Sequence, residues 1–188
     1  MLVGITGNIG SGKSLFMRML GRFGHTTYDA DKIVDDLYRD KKVVSMIESA
    51  FGTDVVENDR VNRKALAGKV FNSTLNLRKL NNIVHPLVKE KIAAIKHYDS
   101  IVFVEVPLLF ESKMQGIFDK VVLIRASHET CRQRAKANGF PEEEFEKRVA
   151  AQYAADRIVA MADIVVDSEC SANELAAKAE KVIEMLKA

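Results

Sequence analysis

The segment Gly7-Asn8-Ile9-Gly10-Ser11-Gly12-Lys13-Ser14 constrains this chain more than any other. It fits the pattern G-x-x-x-x-G-K-[ST], and its flanks are those the pattern requires. Before it, Leu2-Val3-Gly4-Ile5-Thr6 is a short apolar run that reads as a buried strand. After it, Ser14 to Phe23 repeats Phe16, Met19, Leu20 and Phe23 at helical steps, and Gly24 marks the stop. In such a loop the backbone amides wrap phosphate oxygens, because glycine tolerates the unusual dihedrals and the close approach. The helix N-terminus adds unpaired N–H groups and about half a positive charge. Lys13 is expected to reach the β- and γ-phosphates of a nucleoside triphosphate, and the Ser14 hydroxyl to bind Mg²⁺. Asn8, Ile9, Gly10, Ser11 and Gly12 complete the expected ATP-binding loop.

The remaining pattern alternates strand and helix. Thr26-Thr27-Tyr28 is β-prone, and Asp29-Ala30-Asp31 opens a second helix. Short helices are expected at 41–51 and 62–71, separated by a polar stretch from Gly52 to Asp59. Asn72-Ser73 reads as a turn or cap before a long helix. That helix has one apolar face (Leu80, Ile83, Val84, Leu87, Val88, Ile92, Ile95), and Pro86 predicts a kink or break in it. Ile101 to Val106 and Val121 to Ile124 are continuous apolar runs, the mark of strands buried on both faces. Ser127 can cap a helix carrying Cys131 to Ala137, and Pro141 can open the next one. Ile164-Val165-Val166 is a fifth strand, and Ser171 with Glu174 has reciprocal capping spacing. In the last helix Leu175, Ala179, Val182, Ile183 and Leu186 face inward. The fold class is therefore α/β, a five-stranded parallel sheet covered by helices on both faces.

Composition narrows the function. The 188 residues are 47% hydrophobic and 29% charged, as in a globular protein, and suit one domain. With 28 basic against 26 acidic residues the formal charge is +2, too small an excess to suggest a nucleic-acid partner. No apolar run approaches about eighteen residues, so no membrane span is expected. With no signal-peptide pattern at Met1, the protein is expected to be cytoplasmic and complete from that residue. Cys131 and Cys170 have neither metal-ligand spacing nor the density of a disulfide scaffold. A phosphate loop alone leaves a small-molecule kinase, a GTPase or an ATPase module. The chain lacks the Asn-Lys-x-Asp motif of a GTPase and the Leu-Ser-Gly-Gly-Gln signature of a transporter ATPase. Its small size and an arginine-bearing excursion after the fourth predicted strand favour a kinase with a closing lid.

Several residues are candidates for the acceptor side. Asp29 and Asp31 follow the second predicted strand. A carboxylate there can orient an acceptor hydroxyl and take its proton, or can simply cap the helix. Arg78, Asn81, Asn82, His85 and Lys89 form a polar stripe on the long helix, in which His85, an isolated histidine directly before Pro86, reads as structural or solvated sooner than as a ligand. Glu105 ends the third predicted strand, where it either assists Mg²⁺ or is merely solvated. Pro107-Leu108-Leu109-Phe110 is core or the lining of a substrate pocket. Of Arg132, Arg134, Lys136, Arg148 and Arg157, one or two are expected to touch nucleotide while the rest form a solvated basic face.

Taken together, these segments resemble the dephospho-CoA kinase family nearly end to end. The resemblance rests on Gly4 to Ser14, Asp29-Ala30-Asp31, Val61 to Leu66, Leu80 to Leu87 with its His85-Pro86-Leu87, Val106 to Glu111, Arg148 to Gln152 and Ala162 to Asp167. It implies transfer of the ATP γ-phosphoryl group to the ribose 3′-hydroxyl of dephospho-CoA, with Mg²⁺. It also implies a P-loop nucleotide-kinase-like core at 1–31, 98–125 and 160–188, a helical CoA-binding region at 32–97 and a lid at 126–159. On this resemblance Asp31 is catalytic alongside Lys13, and Arg134 is a lid arginine near the phosphates. His85 moves to the substrate side with Lys89, and Leu109 and Phe110 become candidates for holding the pantetheine arm. The sequence departs from the family pattern in places. Leu15 replaces a frequent threonine, so it can meet ATP only through its backbone. Glu105 stands for a frequent aspartate, Cys131 for glutamine, Asn138 for arginine and Ser168 for asparagine. A shikimate-kinase-like enzyme is the nearest rival, but its Gly-Gly-Gly segment is absent. A non-catalytic nucleotide-binding module is the rival from another class.

Overall fold

The structure is a computed structural model that describes residues 1–71, 73–95 and 100–187. It divides into two compact units, one formed by 1–29 with 96–188 and the other by 30–95. The expected boundary between 97 and 98, and Asn72 of the expected cap, lie outside the described residues.

The first unit is built on a parallel sheet. Its strands are β1 (Leu2–Thr6), β2 (Thr26–Asp29), β5 (Val102–Glu105), β6 (Lys120–Arg125) and β7 (Ile164–Asp167). Their order is β2-β5-β1-β6-β7, with every neighbouring pair parallel. β1 is thus the central strand, and all five of its residues are buried. Helix α1 (Lys13–Arg22) and the last helix, α9 (Ala172–Lys187), pack together on one face. There Phe16, Leu20, Ala179 and Val182 meet Val3, Ile5, Phe103 and Ile124. Because strand side chains alternate, Gly4 faces the other way. A Cβ on Gly4 would lie 2.7 Å from Leu109 Cδ1 and 3.0 Å from Phe118 Cδ2. The segment after β5 therefore closes this side against bare backbone. Ser171 and Glu174 form the expected reciprocal cap at α9, with Glu174 Oε2 accepting from the Ser171 N–H at 2.8 Å.

The excursion between β6 and β7 contains α6 (His128–Ala137), α7 (Glu142–Ala150) and α8 (Ala155–Met161). Ser127 caps α6, as its position predicts. Pro141 sits at the cap of α7 rather than inside its first turn. The seven-residue α8 buries only Ile158, so it carries no apolar period that a sequence reading could detect.

The second unit contains α2 (Ala30–Leu37), α3 (Lys41–Phe51), a hairpin of β3 (Val56–Glu57) and β4 (Arg60–Val61), α4 (Arg63–Val70) and α5 (Thr74–Ala93). Side chains cap three of its helices: Asp40 at α3, Asn62 at α4 and Ser73 at α5. The hairpin corrects the expected polar stretch. Asn58 and Asp59 take φ of +50° and +59°, which suits the tight turn joining two strands. α5 runs unbroken through Pro86, so the expected break does not occur. Proline costs a helix one N–H and a clash, but Pro86 and Asn82, whose carbonyl loses its partner, are both exposed to water. On the buried side Val84, Val88 and Ile92 pack inward across the same point, and α5 lies against α2, α3 and α4.

Candidate active site

The phosphate loop leaves the carboxyl end of β1 and turns at Gly7, Gly10 and Gly12, with φ of +149°, +78° and +93°. Two of these glycines also lack room for a side chain. A Cβ on Gly7 would stand 2.0 Å from the Ile124 carbonyl oxygen, and one on Gly10 would stand 2.3 Å from that of Cys131. The loop is therefore pressed between the end of β6 and the first turn of α6. Lys13 is 8% exposed, and its Nζ donates to the carbonyls of Gly7 and Asn8, both at 2.8 Å. The Ser11 N–H donates to Asn8 O at 3.1 Å, while the buried Ser11 Oγ has no hydrogen-bond partner among the described residues. Ser14 and Leu15 follow in the first turn of α1, Ser14 exposed and Leu15 partly buried.

Carboxylates end the neighbouring strands. Ile5, Glu105 and Asp29 stand in one row across β1, β5 and β2. These hard oxygens and the exposed Ser14 hydroxyl suit Mg²⁺, which binds a few protein oxygens and keeps water and phosphate for the rest. No cluster of three or more His, Cys, Asp or Glu occurs among the described residues.

On the other side of the loop, Arg134 of α6 reaches across to the residues after β7. Its Nη1 donates to Ser168 Oγ at 3.0 Å and to Gly10 O at 3.5 Å, and its Nη2 donates to Ser168 O at 2.8 Å. Ser168 Oγ in turn donates to Ser11 O at 2.6 Å. The next residue, Glu169, accepts from the Ser127 hydroxyl and N–H and from the Thr130 hydroxyl, which holds its carboxyl at about 2. A cleft of ≈ 280 Å³ opens beside Asn8, walled by Leu123, Ala126, Ile158, Val159 and Glu169.

A model of the dephospho-CoA kinase family matches residues 1–174. The chain belongs to the dephospho-CoA kinase family. It is 35% identical over 189 residues to the dephospho-CoA kinase of Aquifex aeolicus, covering 98% of this chain and 96% of that one. Among solved structures, the Thermus thermophilus protein TT1252 superposes with a TM-score of 0.83 at 31% identity, over 99% of this chain and 97% of that one. The dephospho-CoA kinase of Campylobacter jejuni shares the fold, with a TM-score of 0.67 at 22% identity, over 98% of this chain and 96% of that one.

Within a dephospho-CoA kinase family member, the expected site residues fall in both units. Asn8 to Leu15 and Arg134 come together in the first, while Asp31, His85 and Lys89 belong to the second. Asp31 lies in the first turn of α2. His85 is half-buried on α5, and burial, reinforced by the Lys89 charge, lowers its pKa. Leu109 and Phe110 are 0% and 2% exposed. Both side chains pack into the core, and Leu108 is the exposed residue of that segment. Three other arginines of the excursion pair locally. Arg132 binds Glu129 and Glu142, Arg148 binds Glu144, and Arg157 lies 3.6 Å from the centre of the Tyr153 ring.

Two features escaped the sequence reading. One is the Ser168 contact with the loop, which joins residues far apart in the chain. The other is Arg63, legible only as part of a family segment. Its Nε pairs with Asp35 at 2.8 Å, its Nη2 donates to Asp31 O at 3.4 Å, and it lies 5.5 Å over the Tyr38 ring. With Arg39, Arg60 and Lys64 it lines a cleft of ≈ 310 Å³ in the second unit.

Proposed function

We propose that the loop from Asn8 to Leu15 holds ATP and that Asp31 receives the proton of the acceptor hydroxyl. The chain is a dephospho-CoA kinase, an ATP-dependent phosphotransferase acting in the last step of coenzyme A synthesis. The ribose 3′-oxygen attacks the γ-phosphorus in line. The bond to the β–γ bridging oxygen breaks, its electron pair leaves with ADP, and the hydroxyl proton passes to a carboxylate. Lys13 and the loop amides offset charge on the transferring group, and Arg134 is the arginine that serves beside them. Ser14, Asp29 and Glu105 are the residues suited to holding Mg²⁺, which when bound neutralises the β- and γ-phosphate oxygens. The apolar walls at Ala126, Ile158 and Val159 suit the adenine base. Residues 126–159 are read as the lid that keeps water from the phosphoryl group.

The helical unit is read as the acceptor-binding region. His85 and Lys89 suit its polar contacts, and the Arg39, Arg60, Arg63 and Lys64 cleft suits the diphosphate of dephospho-CoA. The observation that carries the whole reading is the glycine loop, sterically closed to larger residues, in a chain that matches one kinase family along nearly all its length. The test is ADP release measured with dephospho-CoA, with shikimate and with no acceptor. ADP release dependent on dephospho-CoA is expected. Dependence on shikimate, or release without any acceptor, would replace the reading with a shikimate-type kinase or an ATPase, and no release under any condition would indicate a binding module.

A further inference from the structure

We propose that Ser168 is a positioning residue for triphosphate binding: its buried hydroxyl, charged from behind by Arg134, sets the direction of the peptide groups of the phosphate loop. Ser168 is 1% exposed and lies 157 residues from Ser11 in the chain, yet its Oγ donates to Ser11 O at 2.6 Å. The same oxygen accepts from Arg134 Nη1 at 3.0 Å, and the Ser168 carbonyl accepts from Nη2 at 2.8 Å. The guanidinium, the hydroxyl and the loop carbonyl thus form one chain in which each bond polarises the next.

The consequence follows from the planar trans peptide, in which C=O and the next N–H point in opposite directions. Drawing the Ser11 carbonyl toward Ser168 turns the Gly12 N–H the other way. Drawing the Gly10 carbonyl toward Arg134, at 3.5 Å, turns the Ser11 N–H away in the same manner, onto Asn8 O. Gly12 is the residue most exposed to this control. Its φ is +93°, and the nearest atoms to a Cβ placed there are Ser168 Oγ at 3.5 Å and Arg134 Nη1 at 3.6 Å. A glycine-rich loop has many conformations of similar energy, so amides left unbraced would have to be ordered by the ligand, at a cost in affinity. Ser168 meets that cost in the folded protein. Its hydroxyl touches no phosphate in this scheme and acts only through the loop.

This inference rests on the proposed function only in that the loop takes a triphosphate tail. Its test therefore uses inorganic tripolyphosphate and ATP, with no acceptor and no turnover, so a failure of dephospho-CoA as acceptor leaves it untouched. Ser168→Ala is expected to weaken both ligands about tenfold and by the same factor, the size of one buried hydrogen bond. Ser168→Thr, which keeps the hydroxyl, is expected to restore binding to within about twofold. A merely structural role would lower the melting temperature but leave the affinity of the folded protein unchanged. Should Ser168→Ala fail to fold, Ser168→Cys keeps the volume with a weaker donor and is expected to show the same loss, smaller. Parental affinity for tripolyphosphate in either folded variant would overturn the proposal. So would loss of fold in both, which would make the hydroxyl a requirement of the core.

Discussion

Asp29 and Glu105 are register partners at the carboxyl ends of β2 and β5, so two carboxylates sit side by side on the sheet edge from which β1 sends out the phosphate loop. On the proposed reading, the two carboxylates suit a nucleotide that arrives with Mg²⁺.

Glu105→Gln is therefore expected to raise the Mg²⁺ concentration needed for half-maximal rate several-fold, with the maximal rate at saturating Mg²⁺ reduced less. Chelation with EDTA should abolish turnover in both proteins. Titration of rate against free Mg²⁺ checks this, and an unchanged half-saturation point would remove Glu105 from the metal's surroundings.

Lys13→Ala removes a buried ammonium that bonds Gly7 O and Asn8 O. Turnover should fall by about 10³-fold, the scale of losing one preorganised charge beside a developing anion. Far-UV circular dichroism should be unchanged, since Gly7 O and Asn8 O belong to the loop after β1.

Asp31→Asn preserves size and removes the proposed proton acceptor. A drop in kcat of about 10²–10⁴ is expected with the dissociation constant for ATP within about twofold of the parent. Near-normal kcat would return Asp31 to the simpler role of an acidic residue at the start of α2.

Leu109 packs on the bare backbone of Gly4 and is fully buried. Leu109→Ala should cost about 2–5 kcal/mol of stability in chemical denaturation. The KM for dephospho-CoA should be unaffected while the protein remains folded. The opposite pattern would mark a substrate contact.

His85 has a folded-state pKa below its ordinary value of 6.5, caused first by burial and then by Lys89. The unfolded chain therefore binds this proton more readily, and stability must rise with pH across the window from the lowered pKa up to about 6.5. Conversely, acidification through that window destabilises the fold. The His85→Gln variant should lose this part of the pH dependence, as seen by comparing denaturation midpoints at pH 5 and pH 7.

Much of the architecture was legible because its signals are local. The α9 positions Leu175, Ala179, Val182, Ile183 and Leu186 recur at helical spacing, and all are buried. Ser127 and Ser171 cap helices because a hydroxyl reaches an amide three residues on. The Asn58-Asp59 turn also had a local signal, two residues tolerant of positive φ between valine-bearing pairs, but strands of two residues are too short to show alternation. Pro86 misled because its cost depends on which side of α5 faces water.

What the amino-acid order determined by itself was the phosphate loop, the strands and helices that flank it, and the residues proposed to bind a nucleotide. These depend on dihedral tolerance, on periodicity and on side-chain chemistry, all properties of neighbouring residues. Tertiary structure alone decided that β1 lies between β5 and β6, that Glu105 stands beside Asp29, that Leu109 belongs to the core, and that Ser168 and Arg134 grip the loop at Ser11 and Gly10. Each of these is a contact between residues distant in the chain, selected by the packing of the whole sheet and its helices, and no short window of sequence contains both partners.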